Sequence, residues 1–203
     1  MKKKDLPYDW GKKIQAMPYL QRFSFETDMM ETNECLVPIT ETFNHPQLRS
    51  IRANFEGRLD NDEFKMITQR LKQQSPLQEI YLKFKMQSNA SEGFIDFCSS
   101  LAQMNYLQRI NLDCSMKPKY FEEILKQFKR QYYYLFFSQV ELEKNTIQDF
   151  YDGLQILPNL AQYFGFGFDI HYNVTDEQYT DIFNRLATLQ TRFVCLDLEI
   201  KKQ

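Results

Sequence analysis

The stretches LQEIYLKFKM (residues 77–86) and LQRINLDCSM (residues 107–116) begin 30 residues apart and share Leu, Gln, Ile, Leu and Met at matching positions. In the first, Ile80, Leu82, Phe84 and Met86 alternate with Glu79, Tyr81, Lys83 and Lys85. In the second, Ile110, Leu112, Cys114 and Met116 alternate with Arg109, Asn111, Asp113 and Ser115. Period-two alternation predicts a strand with one face buried and the other wet. Within the strands the shared residues, Ile, Leu and Met, belong to the apolar phase. Of the residues that differ, all but Phe84 and Cys114 belong to the polar phase.

Similar segments begin at Leu20, Leu48 and Leu160, each with a proline two residues earlier, at Pro18, Pro46 and Pro158. Two more lie near YYYLFF (132–137) and FVCLDLEI (193–200), so the spacing runs from about 25 to 32 residues. In the last, Val194, Leu196, Leu198 and Ile200 are expected on one face. YYYLFFSQVEL leaves two readings open: Leu135 and Phe137 inside, or Tyr134, Phe136, Val140 and Leu142 inside. In QYFGFGFDI the expected inner residues are Phe164, Phe166, Phe168 and Ile170, with Gly165 and Gly167 on the open face.

Helical spacing follows each strand. Phe64, Ile67 and Leu71 share a face, as do Phe94, Phe97 and Leu101. Later sets are Phe121, Ile124, Leu125 and Phe128; Ile147, Phe150, Leu154 and Leu157; and Tyr179, Ile182, Phe183 and Leu186. Asp60 precedes Glu63, and Thr175 precedes Gln178, at capping-box spacing. Pro118 suits a first helical turn.

The unit is therefore strand, loop, helix, return. Central strands of a doubly wound sheet are covered on both faces and read as continuously apolar. These strands alternate, and no glycine-rich phosphate loop follows any of them. The segments LQEIYLKF, LQRINLDC and LRSIRANF resemble the LxxLxL core of leucine-rich repeats, and the long period resembles the ribonuclease-inhibitor-like class. The resemblance implies an α/β leucine-rich-repeat-like solenoid with a curved parallel sheet and helices on the convex face. It covers residues 17–203 as one domain of about six to seven repeats, after a capping segment at 1–16; YDWGKKIQAM (8–17) is expected to cap as a short amphipathic helix using Trp10, Ile14 and Met17. Where the family carries Asn or Cys after its core, this chain places Phe55, Phe84 and Met86 nearby.

At 203 residues with 43% apolar and 26% charged residues, the composition is that of a globular protein. The formal net charge of −2 argues against a nucleic-acid partner. No apolar run spans a bilayer, and MKKKDLPYDW lacks the apolar stretch of a secretory signal. Cys35, Cys98, Cys114 and Cys195 form no CxxC pair and are expected as buried free thiols. His45 and His171 carry no catalytic motif and read as turn and surface residues. The acidic run at Asp60, Asp62 and Glu63 reads as a helix cap rather than a cation site. KQFKRQYYY reads as a solvated helix end beside a strand rather than an RNA contact.

The expectation is a non-enzymatic interaction scaffold with no cofactor, no metal, no small-molecule substrate and no membrane span. Its partners are proteins of a larger assembly. The concave face is expected to show Arg22, Ser24, Glu26, Ser50, Arg52 and Asn54, then Glu79, Tyr81, Lys83, Arg109, Asn111 and Asp113. Of these, Arg52, Glu79, Tyr81, Lys83, Arg109, Asn111 and Asp113 are the candidate binding residues, Tyr and Arg being frequent interface anchors. Asp197 and Glu199 mark the last strand, whose edge is expected to meet a partner or to be blunted by charge. Scarce Gly beside plentiful Phe, Tyr, Lys and Gln resembles proteins of AT-rich protist genomes. On that composition the expected setting is cytoplasmic, first a cytoskeletal or ciliary assembly and second a mitochondrial one. A soluble adaptor or inhibitor is the alternative.

Overall fold

The computed structural model describes residues 10–27, 36–71, 75–87, 89–128, 132–156, 161–171, 173–188 and 192–201. Strands and helices alternate throughout. In chain order they are α1 (Trp10–Gln15), β1 (Arg22–Thr27), α2 (Leu36–Thr42), β2 (Ser50–Leu59), α3 (Asn61–Arg70), β3 (Glu79–Met86) and α4 (Ser91–Gln103). Then come β4 (Arg109–Met116), α5 (Pro118–Gln127), β5 (Tyr132–Leu142), α6 (Ile147–Ile156), β6 (Ala161–His171), α7 (Asp176–Thr188) and β7 (Arg192–Lys201).

Among the described residues seven strands form one open parallel sheet in the order β1-β2-β3-β4-β5-β6-β7. The order never reverses, so the sheet has no topological switch point of the doubly wound kind. Crossovers of one hand that always step in the same direction lay their helices over one sheet face. The core matches that rule. Ile80, Leu82, Phe84, Ile110, Leu112, Cys114 and Met116 are buried, whereas Lys83, Lys85 and Arg109 between them are exposed. Phe64 of α3 and Phe94 of α4 meet Phe84 edge-on at 5.4 and 5.6 Å. Phe121 of α5 meets Phe137 of β5 at 6.0 Å.

The repeated leucines have a common role. Leu48, Leu77 and Leu107 are buried immediately before their strands. One residue on, the carbonyls of Arg49 and Gln78 each accept two N–H groups of the following strand, as Gln21 does before β1. Arg49 and Ser50 donate to Gln21, Gln78 and Glu79 to Arg49, and Gln108 and Arg109 to Gln78. The same turn thus repeats and sets the same register each time.

Both capping boxes form. The Glu63 N–H donates to Asp60 Oδ1 (2.9 Å) and the Asp60 N–H to Glu63 Oε2 (2.8 Å). Gln178 and Thr175 make the equivalent pair at 3.3 and 3.1 Å. Burial pushes the Glu63 carboxyl up, while its bond from the Asp60 backbone opposes the shift. Pro118 opens α5. Asn61 joins the start of α3 to that of α4, accepting from the Gly93 N–H at 2.8 Å and donating to the Asn89 carbonyl at 2.7 Å.

Several expectations need correction. Near 132–142 the structure takes half of each reading: Leu135, Phe137, Val140 and Leu142 are all buried. The register against β4 and β6 shifts between Phe137 and Val140, and that shift inverts the phase within one strand. In β7, Phe193 pairs with Phe164 and Cys195 with Gly165, so Val194 falls in a register shift; Leu196, Leu198 and Ile200 pair with Phe166, Phe168 and Ile170 as their spacing requires. Phe183 is 41% exposed because Ile182 and Leu186 take the buried face of α7. Among the described side chains at the N-terminus, Gly11 is buried, Ile14 is half-buried and Met17 is 48% exposed; the side chain of Trp10 lies outside the described residues. A Cβ at Gly11 would stand 2.6 Å from the Pro38 carbonyl oxygen, so only glycine permits this approach of α1 to α2. Leu157 and Leu160 lie outside the described residues.

His45 is a turn residue but not a surface one. It is 1% exposed, its Nε2 donates to the Met17 carbonyl (2.8 Å), and its Nδ1 accepts from the Gln47 N–H (3.2 Å). Those two bonds require the neutral tautomer with the proton on Nε2. His171 ends β6 as expected.

Candidate functional site

The sheet face away from the helices is built in rows, because parallel strands in register place equivalent residues side by side. One row runs Arg22, Ser50, Glu79, Arg109, Tyr134 and Tyr163. The next runs Ser24, Arg52, Tyr81, Asn111, Phe136 and Gly165. A third runs Glu26, Asn54, Lys83, Asp113 and Ser138. All seven candidate residues, from Arg52 to Asp113, therefore stand together on β2–β4.

Their charges are largely spent on one another. Arg109 pairs with Glu79 at 3.3 Å and Lys83 with Asp113 at 3.7 Å. The Tyr81 hydroxyl donates to Asp113 Oδ2 at 3.4 Å, and the Arg52 guanidinium lies 4.5 Å from the Tyr81 ring centroid. Asn54 donates to Glu26 at 2.9 Å, and Ser115 donates to Glu141. Exposed ion pairs of this kind contribute about 0.2–1 kcal/mol each, so their main effect is to fix side-chain positions. The Oδ1 atoms of Asn54 and Asn111 are shielded and accept no hydrogen bond within the described residues.

The face also holds residues that alternation in the sequence did not nominate. Tyr134 and Phe136 are half-buried and stack with centroids 6.4 Å apart and planes 5° apart. They were missed because the register of β5 was open; the stepwise spacing from Arg109 and Asn111 was the available signal. Gly165 stands in register with Phe136 in the second row and is buried. Gly167 is buried as well. Beyond an irregularity in β2, Arg58 pairs in register with Lys85, and both are exposed. Asp197 and Glu199 lie on β7 opposite Gly167 and Asp169; their side chains fall outside the described residues.

Elsewhere, Cys98 and Cys114 are buried free thiols. Burial pushes both thiols up, with the Cys114 charge adding for Cys98 and the Asp113 charge adding for Cys114, so the thiolate form is suppressed. The side chains of Cys35 and Cys195 lie outside the described residues. Among the described residues no group of three His, Cys, Asp or Glu is placed to hold a metal ion. No helix among them is long and apolar enough to cross a membrane.

The chain matches no protein-family model, and no curated protein matches it significantly.

Proposed function

We propose that this chain is a non-enzymatic protein-binding scaffold, built as a leucine-rich-repeat-like solenoid, whose open sheet face receives a partner. One observation carries the reading. Arg52, Tyr81, Asp113 and Lys83, from three adjacent strands, hold one another on the face opposite the helices. Side chains ordered before binding lose less entropy on binding, which is the property an interface requires. The repeating parallel unit supports the solenoid reading, since such folds offer an extended face made of many strands.

Within that reading the chain is a structural subunit of a larger assembly. The composition supports a cytoplasmic setting, with a cytoskeletal or ciliary structure first. The test is a crosslinking map in native extract, combined with a Tyr81→Ala/Arg109→Ala double variant. Partner crosslinks at Lys83 and Lys85, lost in a folded double variant, support the open face. Crosslinks confined to helix lysines such as Lys65 and Lys126 remove it. Retention of the partner in high salt supports a structural subunit, and release supports an adaptor.

A further inference from the structure

The charges on the open face of β1–β3 do not balance. Glu79 pairs with Arg109 and Asp113 with Lys83, while Glu26 and Glu141 are held only by the neutral donors Asn54 and Ser115, so Glu26 is the one described carboxylate on β1–β3 without a cation. The cations divide differently. Arg22, Arg52, Arg58 and Lys85 are exposed on β1–β3, and no described carboxylate pairs with any of them. Arg52 is the best positioned, because the Tyr81 ring supports its guanidinium and leaves its N–H fork free for a planar acid group.

Resting on the protein-binding reading above, we infer that the ligand of this face is an extended acidic polypeptide segment laid across β1–β3. Spacing selects that chemistry. Arg22 is in register with Ser50 and hence Glu79, and Lys85 lies six residues further along β3, a run of about 20 Å at strand rise. Cations spread over that length match several carboxylates along a chain, not one phosphate held by converging donors.

The test uses the full chain and a fluorescein-labelled octaglutamate peptide, read by anisotropy in low and moderate salt. An octalysine peptide, inorganic phosphate and anionic lipid vesicles serve as comparison probes. The expected result is saturable binding of octaglutamate alone, weakened by salt. Arg52→Gln should weaken it about three- to fivefold, and Arg52→Gln/Arg58→Gln/Lys85→Gln about tenfold or more, with unchanged circular dichroism. Lys65→Gln on α3 should leave it unchanged. Absence of binding, or binding indifferent to Arg52→Gln, overturns the inference. Displacement by millimolar phosphate, or tighter capture by vesicles, replaces the peptide with those ligands and equally overturns it. So does dimerisation in sedimentation that is lost in the triple variant, since the occupant is then a second copy. If octaglutamate fails while partner crosslinks still map to Lys83 and Lys85, only the acidic-segment inference falls and the scaffold reading stands.

Discussion

The guanidinium of Arg52 lies 4.5 Å from the ring centroid of Tyr81, whose hydroxyl donates to Asp113, itself paired with Lys83. Four residues from three strands thus form one connected group. If the group is coupled, Tyr81→Leu should cost about 0.5–1 kcal/mol through the lost cation–π contact, and Tyr81→Phe less. In an Arg52→Gln background the cost of Tyr81→Leu should shrink. Urea denaturation of the double-mutant cycle measures this. Equal costs in both backgrounds would show that the two side chains are merely adjacent.

Gly153 of α6 packs tightly against Phe121 of α5. A Cβ there would stand 2.7 Å from Phe121 Cδ1, and Phe121 is fully buried against Phe150 and Phe137 at 5.7 and 6.0 Å. Alanine is the better helix former by about 1 kcal/mol, but overpacking a rigid ring costs about 1–3 kcal/mol. Gly153→Ala should therefore destabilise, and Phe121→Leu should relieve part of that loss. A raised thermal midpoint for Gly153→Ala alone would contradict the packing described.

His45→Ala should cost about 2–3 kcal/mol, since the Met17 carbonyl and the Gln47 N–H both lose a partner at a buried site. Hydrogen exchange should rise at Gln47. Unchanged exchange there, with an unchanged denaturation midpoint, would mean that the imidazole does not tie the turn before β1 to the turn before β2.

Cys98, Cys114 and Tyr151 together predict alkaline instability. Burial raises both thiols above their ordinary 9.0, and burial followed by the Asp181 carboxylate raises Tyr151 from 10.0 to about 12. Above pH 9 the unfolded chain releases thiol protons that the folded chain keeps, so stability falls as pH rises. Tyr151 extends that fall between about 10 and 12. The contribution is intact below 9. Denaturant midpoints across pH 8–11 should decline, and Cys98→Ser/Cys114→Ser should flatten the first part of that decline. Iodoacetamide should modify these two thiols only after unfolding.

Asp60→Ala should cost about 1 kcal/mol at neutral pH by removing the acceptor for the Glu63 N–H at the start of α3. Asp60→Asn keeps an acceptor and should cost less. Equal losses in thermal denaturation would show that charge, and not the cap bond, is what Asp60 supplies.

The strands and helices of this protein were readable because their signals are local. Ile80, Leu82 and Phe84 alternate at the period of a strand, and Phe94, Phe97 and Leu101 recur at the period of a helix. Capping at Asp60 and Thr175 is equally local, since donor and acceptor lie three residues apart. The rows of the open face followed from the same alternation on β1–β4, which is why Arg52, Tyr81, Lys83, Arg109, Asn111 and Asp113 were all placed together.

What escaped the sequence depends on neighbours distant along the chain. The shift between Phe137 and Val140 exists only relative to β4 and β6, so no reading of β5 by itself decides its phase. The Arg58–Lys85 pair needs the irregularity in β2, and the burial of His45 needs the Met17 carbonyl 28 residues away. The amino-acid sequence by itself determined the repeating unit and which phase of each regular strand is apolar, because side-chain periodicity is a property of one element. Only the tertiary structure decided which charges cancel and which are left over, because that balance is struck between strands.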